Sequence, residues 1–405
     1  MKSERAAVFA RLTKRFGEVY GNTTGLRAFT APGRTELGGN HTDHNNGRVL
    51  AAAIDLEAAA VVQRAEGVIE LRSAGWDAPF RVALDSLEPQ PAETGKTEAL
   101  LRGVAAAFVK RGLKVGGFRA CVESSVLQGS GLSSSAAFEV LTGTILSALY
   151  NDGKVDAVTL GVIGQEAENL HFGKPCGLMD QMASSVGGLV TIDFASPSQP
   201  VIRQLALDWE AHGYALCIVD TKGNHADLTP DYAAIRSEMN AVAACFGKSV
   251  LREVDPAKFW AEVAGLRARV GDRAVLRAMH FLEENLRVEH MVKAIEAGRF
   301  EDYLALVDAS GASSAEFLQN VIPHGAIRDQ AIPLGLALTR RFLSHDNPQG
   351  VGAVRVHGGG FAGTIQAYIP LKRAADYAKT MEAVFGPGSV HRLSVRPDRA
   401  GEAKL

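Results

Sequence analysis

The chain has 405 residues, 46% of them hydrophobic and 22% charged, so it is too long for one core and too apolar for disorder; two folded domains are expected. A formal net charge of -2 excludes the large basic excess needed to bind a nucleic-acid backbone or an anionic bilayer. Cys121, Cys176, Cys217 and Cys245 form no closely spaced pair, the N-terminus lacks the continuous apolar run of a signal peptide, and no apolar stretch reaches ~18 residues, so a cytoplasmic protein with neither disulfides nor membrane spans is expected.

Along the chain, apolar runs at 49–54 and 58–62 predict strands around a glycine-rich turn. A helix is expected at 100–109 and a two-faced strand at 118–123, followed by a glycine and serine loop and a helix through Ala136, Val140, Ile145 and Leu149. A further helix at 157–170 and a strand at 187–194 complete the first half. Proline and serine rise over 196–204, which puts the domain boundary at 205, giving domains 1–205 and 206–405. The second half predicts a strand at 215–219, helices at 232–246 and 276–297, two strands within 354–368 joined through glycines, a helix at 374–385 and a strand at 390–395. Strands and helices mix without strict alternation, which favours an α+β fold.

The loop Gly129-Ser130-Gly131-Leu132-Ser133-Ser134-Ser135 leads from a strand into a helix. Glycines let backbone N–H groups approach an anion and a helix start adds partial positive charge, so the loop fits a phosphate cradle; it fits plain helix capping as well. The segment 31–54 sets Arg34, Glu36, Asn40, His41, Asp43 and His44 among glycines, a density of donors and acceptors suited to a polyhydroxylated ligand or to a solvated turn. Asp180 lies in an apolar stretch where a carboxylate must find donors or shift its pKa, unless it caps a helix. Glu166 and Glu168, on a helix, read alone as surface charges.

Taken in order, these segments resemble the galactokinase branch of the GHMP small-molecule kinases. Residues 33–50, 128–137 and 357–363 resemble the three family motifs; Cys176-Gly177-Leu178-Met179-Asp180-Gln181 resembles a branch-specific element, and Asp231-Tyr232 stands where a sugar-contacting tyrosine is expected. The resemblance implies an N-terminal domain of the ribosomal S5 domain 2 type, a ferredoxin-like C-terminal domain and an active site between them. It implies ATP-dependent phosphorylation of the C1 hydroxyl of a monosaccharide, D-galactose first, with an N-acetylhexosamine, L-arabinose or L-fucose as alternative acceptors. A catalytically silent sensor of galactose and ATP is the alternative outside the enzyme class. ATP and Mg²⁺ are the implied cofactors, a small sugar the implied partner, and a monomer or weak homodimer the expected state.

By the same resemblance, Gly129, Ser130, Gly131, Leu132, Ser133, Ser134 and Ser135 would hold the ATP phosphates, with Ser134 and Glu168 at the metal. Arg34 would lie by the transferred phosphoryl group, Asp180 would accept or orient the proton of the anomeric hydroxyl, and Asn40, His41, Asp43, Gly177 and Tyr232 would contact the sugar. Four positions depart from the family: Asn40 stands for a usual Glu, His44 for Tyr, Glu36 for Asn and Ala362 for Gly. Because an amide donates as well as accepts, Asn40 is expected to change which hydroxyl pattern is favoured.

Overall fold

The computed structural model describes residues 2–127, 131–223, 228–345 and 351–405 and is built around two sheets. In the first, the order from edge to edge is Gly401–Ala403, Arg27–Gly38, Arg48–Ala65, Gly117–Ser124, Val68–Ser73 and Phe80–Ala83. All pairings along it are antiparallel except that of Val68–Ser73 with Gly117–Ser124. Arg48–Ala65 belongs to two neighbourhoods: residues 58–65 pair with Gly117–Ser124, whereas 48–52 pair with Leu189–Asp193, which carries Val201–Leu205 on its other edge. The apolar runs 49–54 and 58–62 are therefore one strand. The half-buried residues between them, Asp55, Leu56 and Glu57, fall at a register shift, where the N–H of Asp55 donates to the Ser394 carbonyl at 3.1 Å.

The second sheet is antiparallel throughout, in the order Val390–Leu393, Tyr214–Asp220, Thr364–Pro370 and Ala353–Val356. Its last two strands are those expected on either side of the glycine-rich stretch 357–363. With helices such as Thr97–Lys110, Ser134–Tyr150 and Asp272–Glu296 packed beside the sheets, the architecture is α+β, as the mixed pattern predicts. Among the described residues, no helix is long and apolar enough to cross a membrane.

One apolar core joins the two sheets. Phe29, Leu50, Phe108 and Val140 from the first half share it with Ile218, Met291, Phe300 and Tyr368 from the second. The 25-residue helix Asp272–Glu296 passes so close to Gly38 that a Cβ there would lie 2.6 Å from the Met291 sulfur. A polar seam runs beside this core. Arg355 and Glu36, both buried, form an ion pair at 2.5 Å, and the Gln366 amide donates to Thr35 Oγ1 at 2.8 Å and to the Glu36 carbonyl at 2.9 Å. Removing one partner of such a buried pair costs about 3–5 kcal/mol, so the seam fixes the first motif against the third.

Candidate active site

The glycine and serine loop ends at Ser133, whose backbone is left-handed (φ 61°, ψ 61°), and the helix Ser134–Tyr150 begins directly after it. Plain capping, which the loop also fits, is not what Ser133 at the cap position does: its hydroxyl turns away and donates to Asp180 Oδ2 at 2.5 Å. With no side-chain cap hydrogen bond to the helix start among the described residues, first-turn N–H groups remain available to an anion. The side chain of Leu132 is buried in the core, and its carbonyl accepts the Arg34 backbone N–H at 3.1 Å, so only its main chain can serve a ligand. The Gly131 carbonyl accepts from the Arg34 guanidinium. Gly129 and Ser130 lie outside the described residues.

Arg34 and Asp180 meet in a fork: Nε and Nη2 each donate to one carboxylate oxygen at 2.7 Å. The arginine is almost wholly enclosed (6% exposed side chain), while Asp180 keeps 29% open. Burial alone would raise the Asp180 pKa, but the charge and hydrogen bonds of Arg34, joined by the Ser133 hydroxyl, hold it below its ordinary value. Asp180 is therefore no helix cap. It sits in the first turn of Met179–Val186, a helix that the sequence pattern does not reveal.

Asp43 lies beside this pair. Its Oδ1 accepts the His44 N–H at 2.9 Å and its Oδ2 lies 3.5 Å from the Met179 nitrogen; a Cβ on Gly177 would overlap the same carboxylate. Glycine is thus required at 177 for Asp43 to occupy its place. Burial, with the nearby Asp180 charge, raises the Asp43 pKa to about 6.

Beyond the serine helix, Ala157–Ala167 runs into a π-helical turn, Glu168–Phe172, an irregularity often found at functional sites. It carries Glu168 inward. Glu168 is buried, its Oε1 accepting from Ser135 Oγ and Lys174 Nζ, each at 3.2 Å, and its Oε2 from the Gln181 amide at 2.9 Å. Glu166 instead forks onto Arg111 at 2.8 and 2.9 Å and is structural. The hydroxyl on Glu168 is that of Ser135, whereas the sequence reading singles out Ser134. Glu139, missed in the sequence, is buried one helical turn after Ser135, and burial followed by the Glu168 charge drives its pKa well above the ordinary range. Its Oε1 has no partner among the described residues. Glu168 Oε1, beside the Ser135 hydroxyl at the start of the serine helix, is an oxygen donor of the kind that suits a divalent cation carried on a nucleotide.

The third motif closes the opposite side. His41 contacts the Gly359 carbonyl at 2.9 Å and Tyr232 donates to the Gly360 carbonyl at 3.0 Å. Asn40 corrects the expectation of a sugar contact. It is fully buried; its Nδ2 faces Glu36 at 3.1 and 3.2 Å and donates to the Gly358 carbonyl at 2.7 Å, while its Oδ1 accepts from Asn320 at 2.8 Å and Ser314 at 3.3 Å. No part of the amide remains for a ligand. Ala362 lies outside the left-handed region that would demand glycine, so alanine is accommodated there.

A second carboxylate at position 40 would sit roughly 3 Å from that of Glu36. The variant Asn40→Glu is accordingly expected to lose about 3–5 kcal/mol in denaturant unfolding, and the paired exchange Glu36→Gln with Asn40→Glu to regain part of it.

A family model for the galactokinase galactose-binding signature matches residues 14–64, and one for the GHMP kinases N terminal domain matches 99–188. A galactokinase of Streptomyces coelicolor is 32% identical over 388 residues, covering 94% of this chain and 93% of its own. One from Actinobacillus pleuropneumoniae is 30% identical over 363 residues, 88% of each chain. Among solved structures, Lactococcus lactis galactokinase complexed with galactose aligns with a TM-score of 0.82 at 24% identity, over 98% of this chain and 100% of that one. Methanococcus jannaschii mevalonate kinase aligns at 0.64 with 13% identity, over 92% and 99%. The structural likenesses carry the GHMP kinase fold; the sequence identity, sustained along nearly the whole of both chains, makes this protein a member of the galactokinase family.

Proposed function

We propose that the protein transfers the γ-phosphoryl group of ATP to the anomeric hydroxyl of D-galactose, forming galactose 1-phosphate and ADP. The observation that carries this reading is the Arg34–Asp180 fork set against the uncapped serine helix, with Asp43 and Gly177 alongside. Phosphoryl transfer needs positioning and charge stabilisation more than covalent help. Main-chain N–H groups from Gly131 to Ser135 seat the phosphates, and Arg34 balances charge on the transferred group. Asp43, Gly177, His41 and Tyr232 define the sugar side.

Asp180 is a weak base because Arg34 and Ser133 stabilise its charged form. Its part is to orient the attacking hydroxyl and to accept the proton late, when bonding to phosphorus has made that proton acidic. Glu168, with the hydroxyls of Ser134 and Ser135, would hold Mg²⁺ brought in with the nucleotide; when bound, the ion neutralises charge on the phosphate oxygens. ATP as donor and four free thiols support a cytoplasmic location.

The test is a panel of free sugars offered with ATP and Mg²⁺, followed by release of ADP. Galactose turnover is expected; turnover of L-arabinose, L-fucose or an N-acetylhexosamine without galactose refutes the substrate, and saturable galactose binding without ADP refutes catalysis.

A pH dependence follows from Asp43. An ionised Asp43 accepts hydroxyl hydrogen bonds from the sugar, so the sugar KM is expected to rise as pH falls below about 6, the pKa of this buried carboxyl. In Asp43→Asn that acid limb should vanish. Stability runs the other way: between the ordinary carboxyl range and pH 6 the unfolded chain gives up this proton first, so Asp43 favours folding less as pH rises.

A further inference from the structure

Gln181 follows Asp180 on the helix Met179–Val186 and is fully buried. Its Nε2 donates to Glu139 Oε2 and to Glu168 Oε2, both at 2.9 Å. One amide nitrogen, with two hydrogens, thus ties together carboxylates from the serine helix and the π-helical turn. Because Gln181 takes Oε2 of Glu168, the other oxygen, Oε1, is the one that faces Ser135 and Lys174. Gly164 closes the back of the arrangement: a Cβ there would lie 3.0 Å from Gln181 Cγ and 3.1 Å from Glu139 Oε2. Neither Glu139 Oε1 nor Gln181 Oε1 has a hydrogen-bond partner among the described residues.

Folding alone gives little reason for this cluster. The helix Ser134–Tyr150 is otherwise largely apolar where it is buried, and a carboxylate with an unsatisfied oxygen costs stability that an apolar side chain at 139 would not. Groups retained at such cost cluster at sites of chemistry. We infer that Glu139 and Gln181 are positioning residues for Glu168: Gln181 draws back one oxygen of Glu168 and presents the other to the metal–nucleotide complex, and Glu139 serves as the hydrogen-bond acceptor that fixes Gln181. The inference rests on the reading of Glu168 as the metal carboxylate.

The experiment compares calorimetric binding of AMPPNP with Mg²⁺ and with EDTA, the ratio of the two affinities being the contribution of the metal. Glu168→Gln tests the underlying reading, and Gln181→Met, Glu139→Met and Glu139→Gln test the inference. Gln181→Met and Glu139→Met should each cut the Mg²⁺-dependent gain by about 10- to 100-fold, the range for residues that orient a metal ligand. The double variant should lose no more than either single, because the two residues act through one hydrogen bond. Metal-free AMPPNP affinity and the sugar KM should stay near wild type; without ligand, Glu139→Met should melt no lower than wild type, whereas Gln181→Met, which leaves two buried glutamate oxygens without a donor, should melt lower but remain folded. Glu139→Gln keeps an acceptor oxygen and the side-chain shape, so it should bind Mg²⁺-AMPPNP as wild type does. If Glu168→Gln leaves the Mg²⁺ gain intact, the metal reading and the inference fall together. If Glu168→Gln removes it but Gln181→Met does not, the inference alone is overturned, as it is if Glu139→Gln loses as much as Glu139→Met.

Discussion

Replacing Asp180 by Asn is expected to lower kcat by about 10² to 10⁴ while the protein remains folded. The substitution is nearly isosteric, and one amide oxygen can still accept from Arg34, but the side chain no longer carries charge and cannot take a proton. It also changes the hydrogen bond with Ser133, whose hydroxyl now donates to Asp180 at 2.5 Å. Because the carboxylate is partly open and lies over a helix start, its loss should fall on turnover more than on sugar KM. Steady-state kinetics on a variant whose circular dichroism matches the parent provide the check. Turnover close to the parent's would remove Asp180 from the chemistry.

Arg34→Ala should lose about 10² to 10³ in kcat, the magnitude expected when one fixed charge-stabilising donor is removed from a closed site. The variant also bears on Asp180. Without the guanidinium, only the Ser133 hydroxyl and the more distant Lys174 charge oppose burial and the carboxyl pKa climbs, so the acid limb of the kcat profile should shift to higher pH. Arg34→Lys tests geometry against charge, since an ammonium group cannot reproduce the two parallel 2.7 Å bonds. A lysine variant with full activity and an unmoved profile would show that the fork is unnecessary. A loss in both variants, with the alkaline shift larger in alanine, is the expected pattern.

Most of the candidate site could be picked out in the sequence because it consists of residues that a core does not tolerate without reason. Asp180 stood out as a carboxylate in an apolar stretch, and the glycine and serine run stood out between strand and helix. Glu139 did not, because a single acid on an apolar helix has the pattern of a surface charge, and only the packing of Ala157–Ala167 and Met179–Val186 against that helix buries it. Asn40 misled for the opposite reason. Its local sequence is that of a ligand-binding turn, yet the groups that satisfy its amide, Asn320, Ser314 and Gly358, come from roughly three hundred residues away. Among the elements, long periodic helices such as Asp272–Glu296 could be read directly. Val201–Leu205 was hidden in a proline and serine-rich stretch, and Gly401–Ala403 is too short to show a period.

That short last strand has a consequence for how the molecule is made. Ala28, Phe29 and Thr30 pair with Ala403, Glu402 and Gly401, and Arg27 forks onto Glu402 at 2.6 and 2.7 Å. During synthesis, the outer edge of Arg27–Gly38 stays bare until Gly401–Ala403 has left the ribosome, exposing hydrogen-bonding groups to chance partners. Deleting residues 401–405 should therefore show first as insoluble product during expression, before any loss of turnover in the material that does fold.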